Sequence, residues 1–216
     1  SKSSAASDVY KRQPLMKVGT QVRGTKVNKE IIKAQREIFH RFHLDEKTEQ
    51  LYPFQLSGGM ARRVLVSTAV LSGADVIIAD EPTPGLDLEM ALEALKIFRE
   101  LADEGKAVIL ITHDIDLAFH IADRIAVFYA GTTVEMADAK DFVEGVDALR
   151  HPYSKALWKA LPQNGFEPIP GFQPYAKYLP KGCLFAPRCP HKTKECEENI
   201  PMREVRGGYV RCIHAD

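Results

Sequence analysis

The stretch Gln55–Val70, QLSGGMARRVLVSTAV, places a serine and two glycines directly ahead of what reads as a long helix. Small residues let backbone N–H groups approach an anion, and a helix N-terminus adds favourable partial charge. Ser57, Gly58 and Gly59 therefore have the makings of a phosphate cradle. The usual companion of such a cradle, G-x-x-x-x-G-K-[ST], occurs nowhere in the 216 residues. The sole Gly-Lys pair, Gly105-Lys106, is followed by Ala107 and lies before a strand.

On the upstream side, VNKEIIKAQREIFHRF (Val27–Phe42) sets Ile31, Ile32, Ala34, Ile38, Phe39 and Phe42 at helical spacing and predicts an amphipathic helix. Pro53 and the glycines punctuate a loop, YPFQLSGG, and a helix follows from about Met60 to Leu71. Downstream, ADVIIADEP predicts a short buried strand, apolar from Val76 to Ala79 and stopped by acids and Pro82. Leu88–Glu104 reads as a helix ended by Gly105, KAVILIT as a second buried strand, and Ile115–Ala122 as a short helix. RIAVFY and TTVEMA read as strands around a turn at Ala130-Gly131. This alternation predicts an α/β layer with a mostly parallel sheet. After His151 the composition shifts to Pro, Gly, aromatic residues and Cys, which predicts a separate small appendage.

Asp80 and Glu81 close the first strand, at the carboxyl end where open α/β sheets bind ligands. Asp80 can hold Mg²⁺ through oxygen and water. Glu81 can polarise a water for attack on phosphorus. His113 ends the next strand, VILITHD, where it can hydrogen-bond a terminal phosphate, and Asp87 follows in PGLD. Singly, each has a bland structural explanation: an acid pair caps a helix, a strand-end histidine packs, a Gly-Gly turns. Their order and spacing point to one site.

In that order, LSGGM, VIIADEP, GLD and ITHD resemble the motifs of the ATP-binding cassette (ABC) ATPases. Leu56, Ser57, Gly58, Gly59 and Met60 match the signature motif, Val76–Glu81 the Walker B strand with Asp80 toward Mg²⁺, Pro84–Asp87 the D-loop, and His113 the switch histidine. The resemblance implies a partial P-loop NTPase fold of α/β class, with a parallel sheet, a helical subdomain over about 14–72 and a catalytic part over about 73–150. It implies Glu81 and His113 as catalytic residues, and ATP with Mg²⁺. Two cassettes would pack head to tail, so that this signature touches the γ-phosphate of an ATP held by a second ABC ATPase subunit. Met60 stands where Gln is commoner in the family.

HPYSKALWKALPQ, IPG and GCLFAPRCP resemble the C-terminal extension of oligopeptide, dipeptide and nickel importer ATPases, with His151–Tyr153 and Gly182-Cys183 as markers. That resemblance implies a C-terminal domain over 151–216, two membrane permease subunits, an extracytoplasmic substrate-binding protein acting indirectly, and a place on the cytoplasmic face of the plasma membrane. The four cysteines, Cys183, Cys189, Cys196 and Cys212, are spaced C-x₅-C-x₆-C-x₁₅-C, unlike a zinc ribbon. The resemblance implies a [4Fe–4S] cluster on them. Zn²⁺ and reduced structural thiols are the alternatives, with His191 and His214 near enough in sequence to be ligands. Trp158 and Tyr153 read as packing residues.

Composition sets outer limits. Lys+Arg and Asp+Glu balance at 29 each, which gives no electrostatic reason to expect nucleic acid. No apolar run approaches the roughly 20 residues that span a bilayer, and no secretory leader is evident; the expectation is a soluble, cytosolic chain. Ser3–Gln13, SSAASDVYKRQ, has no apolar periodicity and can be encoded by a transposon-based sequencing adapter, so residues 1–13 are expected to be non-native. On that reading the P-loop, the adenine-stacking aromatic and the Q-loop lie upstream of a cut, Gln13 is not a Q-loop glutamine, and the chain hydrolyses no ATP alone. The sheet would then show an unpaired edge and bare apolar faces. Two other classes compete: a non-transport ABC ATPase, and a metal-binding regulatory module without ATPase activity.

Overall fold

The computed structural model describes residues 3–6, 14–24, 27–83 and 88–216. The chain divides into two compact units, Ser1–Leu117 and Ala118–Asp216.

The first unit joins a helical part to a small sheet. Helix α1 (Val18–Arg23), helix α2 (Lys29–Arg41) and helix α3 (Gly58–Leu71) meet around Val18, Val22, Phe39, Leu44 and Val64. Helix α2 starts where Asn28 Oδ1 accepts the Ile31 amide at 2.8 Å. It ends at His43, whose φ of +53° turns the chain so that the Leu44 amide bonds the Phe39 carbonyl. Beneath this core lies a polar cluster: Glu49 accepts from Arg36 (2.9 Å), Gln35 (3.2 Å) and Arg23 (3.4 Å). Burial works to raise the Glu49 pKa, but these partners, Arg36 foremost, hold it below the ordinary carboxylate value.

Three parallel strands form the sheet, in the order β1 (Ser3–Ala6), β2 (Val76–Asp80), β3 (Ala107–Ile111). Ile77 and Ala79 of β2 are buried, as the apolar run predicts. The register sets Val76 beside Ala107 and Asp80 beside Ile111. Helix α4 (Leu88–Asp103) connects β2 to β3, and Gly105, at φ +90°, turns the chain out of it. Strand β1 falls where the sequence predicts no element. An extended chain of small residues can satisfy the main-chain groups that β2 would otherwise leave unpaired, whatever its side chains. On β3, Ile109 and Ile111 are about half exposed (51% and 50%), the bare apolar face that the sequence predicts. Helix α5 (Ile115–Ile121) spans the division between the units.

The second unit departs from the expected mostly parallel sheet. Strand β4 (Arg124–Tyr129) and strand β5 (Thr132–Asp138) form an antiparallel hairpin with Ala130 and Gly131 at positive φ in the turn. After helix α6 (Ala139–Glu144) and helix α7 (Pro152–Lys159), strand β6 (Arg203–Val205) and strand β7 (Gly208–Val210) return to this hairpin, giving the antiparallel order β4-β5-β7-β6. The tail is therefore built onto residues 118–150 rather than appended after 150. The hairpin's free edge and inner face are what the tail needs to complete a core of Val127, Tyr129, Val134, Phe142, Leu149 and Phe185.

The anchor of this unit is Glu135, fully buried on β5. Its Oε1 accepts the Arg150 amide at 2.9 Å, and its Oε2 accepts the His151 amide at 2.8 Å. The buried Arg150 guanidinium pairs with Asp141 at 2.8 Å and donates to the Val205 carbonyl. The His-Pro-Tyr run then starts α7: His151 Nδ1 accepts the Tyr153 amide at 3.0 Å and Pro152 takes the first turn. Tyr153 packs on Tyr129 and Phe185, and Trp158 donates to the Phe142 carbonyl at 2.9 Å; both are packing residues, as the sequence suggests. No helix among the described residues is long and apolar enough to cross a membrane.

Candidate functional site

The signature segment opens α3. Ser57 caps the helix, its Oγ accepting the Met60 amide at 3.2 Å. Helix geometry leaves the amides of Gly58 and Gly59 without intrahelical partners, beside the positive end of the helix dipole. Ser57 and Gly58 are exposed, and a Cβ on Gly58 would meet nothing within 4 Å. The chain's own packing does not require a glycine there, so the space suits an external anion. Gly59 is buried, and Leu56 and Met60 are part-buried. Leu56 and Met60 pack against the Val18, Phe39 and Val64 core, so they anchor the cradle and do not line it. An apolar Met in place of Gln fits that position.

Asp80 ends β2 in an exposed position. The next residue, Glu81, is left-handed, with φ +47°. That conformation costs a non-glycine residue about 1–2 kcal/mol. Three bonds hold it: the Glu81 amide donates to the Ile111 carbonyl at 2.8 Å, Arg62 Nη1 of α3 donates to the Glu81 carbonyl at 2.9 Å, and Oε1 lies 2.8 Å from His113 Nδ1. A carboxylate only accepts, so His113 carries its proton on Nδ1. The hydrogen bond to Glu81, reinforced by its charge, raises the His113 pKa above the ordinary 6.5. The other carboxylate oxygen, Oε2, is buried with no hydrogen-bond partner among the described residues. An acceptor of that kind suits a water or Mg²⁺.

The structure thus brings Glu81 and His113 together, with Asp80 adjacent in sequence and the cradle helix tied to Glu81 through Arg62. Asp87 lies outside the described residues. Arg62 escaped the sequence reading; the signal was a long cation about one turn into the cradle helix, on the side of the Walker B strand.

The four cysteines lie near one another in the second unit, close enough that Cys189 feels the charge of the other three. The Cys183 amide donates to the Cys196 carbonyl at 2.9 Å, and a Cβ on Gly182 would overlap that same carbonyl, which explains the Gly-Cys marker. Cys196 Sγ is 3.4 Å from His214 Nε2. All four are free thiols, and burial raises the pKa of Cys183, Cys189 and Cys212, which favours the protonated form over the thiolate that metals bind. Among the described residues no three His, Cys, Asp or Glu side chains are grouped to hold a metal ion. Among the described residues this arrangement gives no support to the [4Fe–4S] or Zn²⁺ reading.

Two family models match the chain: ABC transporter over residues 3–84, and oligopeptide/dipeptide transporter, C-terminal region, over residues 134–196. Over these two segments the chain is similar to the ABC transporter family. The oligopeptide transport ATP-binding protein OppD of Escherichia coli K12 is 40% identical over 172 residues, 76% of this chain and 50% of that protein. The dipeptide transport ATP-binding protein DppD of Bacillus subtilis 168 is 39% identical over 161 residues, 72% of this chain and 47% of that one. The chain therefore spans about half the length of the curated relatives it matches. Among solved structures, the dimeric post-hydrolysis state of the ATP-binding cassette MJ0796, bound to ADP and phosphate, superposes with a TM-score of 0.56 at 25% identity, covering 64% of this chain and 63% of that one. The ABC transporter match over residues 3–84 includes the cradle and β2, and the C-terminal match begins on β5 next to Glu135.

Proposed function

We propose that this ABC chain contributes to an ATP-hydrolysing subunit that energises import of oligopeptides or dipeptides. The observation that carries the proposal is the Glu81–His113 pair at 2.8 Å, held at the end of β2 and bonded through Arg62 to the Ser57-Gly58-Gly59 helix. Cradle and base belong to different ATP sites in the head-to-tail arrangement that the family resemblance implies. The cradle meets the γ-phosphate of an ATP on a second cassette through the Gly58 and Gly59 amides and the α3 dipole. Glu81 takes the proton of the attacking water on its carboxylate, and the His113 Nδ1–H fixes that carboxylate's orientation. The exposed imidazole edge of His113 faces outward for a phosphate oxygen. Asp80, with Glu81 Oε2 close by in sequence, would hold Mg²⁺, which supplies charge neutralisation on the phosphates. The relatives' names favour peptides over nickel as cargo. Permease subunits, an extracytoplasmic binding protein and the cytoplasmic membrane face complete the proposal.

The test is Glu81→Gln in the assembled transporter. Hydrolysis is expected to fall about 10²–10⁴-fold, as for loss of a general base, with ATP still bound. Unchanged turnover removes Glu81 from the mechanism and the proposal with it.

A further inference from the structure

Glu81 is the one described acid at the end of the parallel sheet whose backbone must be forced into a left-handed conformation. Its amide is fixed by β3, through Ile111, and its side chain by His113. Its carbonyl is held by neither. It accepts from Arg62, which projects from α3 on the turn after the cradle glycines.

The same helix is fastened at its base on the other side. Arg63 Nε donates to the Gly59 carbonyl at 3.3 Å, and its Nη1 donates to the Phe42 and His43 carbonyls. Adjacent arginines therefore serve opposite ends of the first unit: Arg63 joins α3 to the end of α2, and Arg62 joins it to the strand that bears the acids.

We propose that Arg62 is a positioning residue: by holding the Glu81 carbonyl it fixes the carboxylate against His113, and it couples the cradle helix to that carboxylate within one chain. The proposal rests on the nucleotide-site reading above and extends it. A planar guanidinium holds one acceptor at a set angle, and a small rotation about Glu81 ψ swings the carboxylate across the site. Movement of α3 when an anion docks at its N-terminus then reaches the base through the Arg62–Glu81 hydrogen bond. A cradle on one face and a base on the other report to each other without a change in the sheet.

The experiment uses the assembled ATPase, with steady-state kinetics of the wild type, Arg62→Met, Arg62→Lys and Arg99→Met, the last removing one cation from the exposed Arg99–Asp103 pair on α4. Arg62→Met is expected to lower kcat by about 10- to 100-fold with KM for ATP unchanged and a melting curve that stays cooperative, as for a misplaced catalytic group. Arg62→Lys, which keeps the charge but not the planar fork, is expected to recover that loss only in part, and Arg99→Met to leave kcat unmoved. A folded Arg62→Met with the kcat of the wild type overturns the proposal. If Arg62→Met does not fold, Arg62→Gln, which keeps a polar tip but not the reach, stands in under the same two outcomes. This failure leaves the ATPase reading intact, whereas full turnover in Glu81→Gln removes that reading and leaves the Arg62 bond as a structural coupling.

Discussion

Glu81 adopts a backbone that glycine would adopt without strain, and it keeps its side chain there because three bonds offset the strain. Strain of that kind is stored where a side chain must point one way, and the His113 imidazole is what it points at. The pairing has a pH signature. The His113 pKa is raised above 6.5 by its bond to Glu81, so the ion pair is fully formed below the ordinary value and is lost as pH rises through the raised one. An NMR titration is expected to place the His113 midpoint above that of a free histidine, and Glu81→Gln to bring it back; equal midpoints in the two proteins would separate the pair. Gly58 makes a complementary test. Because a Cβ there meets nothing in this chain, Gly58→Val is expected to shift Tm by only a few degrees, from the lower helix propensity of valine balanced against that of glycine. In the assembled cassettes the same change is expected to abolish ATP-driven dimerisation, measured by size-exclusion chromatography, because the branched side chain occupies the space of the phosphate. A Gly58→Val protein that dimerises normally on ATP would take the cradle away from Gly58.

At the scale of elements, the parallel strands and long helices were legible because each buries one continuous apolar run or stripe. Val76–Ala79 needs no partner to read as a buried strand, and Ile31, Ile38 and Phe39 need none to read as a helix face. The candidate site residues were legible for a related reason: strand ends in an α/β sheet point to ligands, so Asp80, Glu81 and His113 follow from where the strands stop. What was hidden depends on distant partners. Strand β7 is three residues long and is a strand because β5 and β6 flank it, and the role of Arg62 depends on a carbonyl contributed by another element. Glu135 was equally hidden, since an acid within TTVEMA reads as an outward-facing residue until the Arg150 and His151 amides arrive to meet it. Its removal is correspondingly costly. Glu135→Ala leaves two buried amides and the buried Arg150 guanidinium short of an acceptor, and is expected to destabilise the second unit by about 3–5 kcal/mol, the range for breaking a buried pair from one side. Urea unfolding followed by the fluorescence of Trp158, the chain's single tryptophan, reads it directly; a loss under about 1 kcal/mol, the size of an ordinary hydrogen bond, would remove Glu135 as the anchor.

Across the whole molecule the two units face different hazards. The first carries a bare apolar face at Ile109 and Ile111, and Ile109→Thr with Ile111→Thr is expected to lower aggregation, followed by light scattering, without lowering Tm. The second is vulnerable to acid, because His151 is buried neutral. Burial pushes its pKa down from 6.5 to about 4, opposed only in part by the Arg211 backbone. The folded form thus resists a proton that the unfolded chain accepts. The sign follows: the stabilisation is complete above pH 6.5, declines as the pH falls from 6.5 toward about 4, and changes no further below that. Each tenfold difference in proton affinity between the folded and unfolded chain is worth about 1.4 kcal/mol, so the loss reaches about 3 kcal/mol. Protonation also occupies Nδ1, the atom that caps α7 by accepting the Tyr153 amide, so the first turn of that helix loosens as the charge arrives. Unfolding by urea at pH 7, 6, 5 and 4, again read at Trp158, is expected to give a midpoint that falls through this window. His151→Gln, which keeps an acceptor but cannot titrate, is expected to flatten the fall. The difference between the two proteins is the measure. Equal slopes in wild type and His151→Gln would show that the acid sensitivity does not lie with the histidine that opens α7.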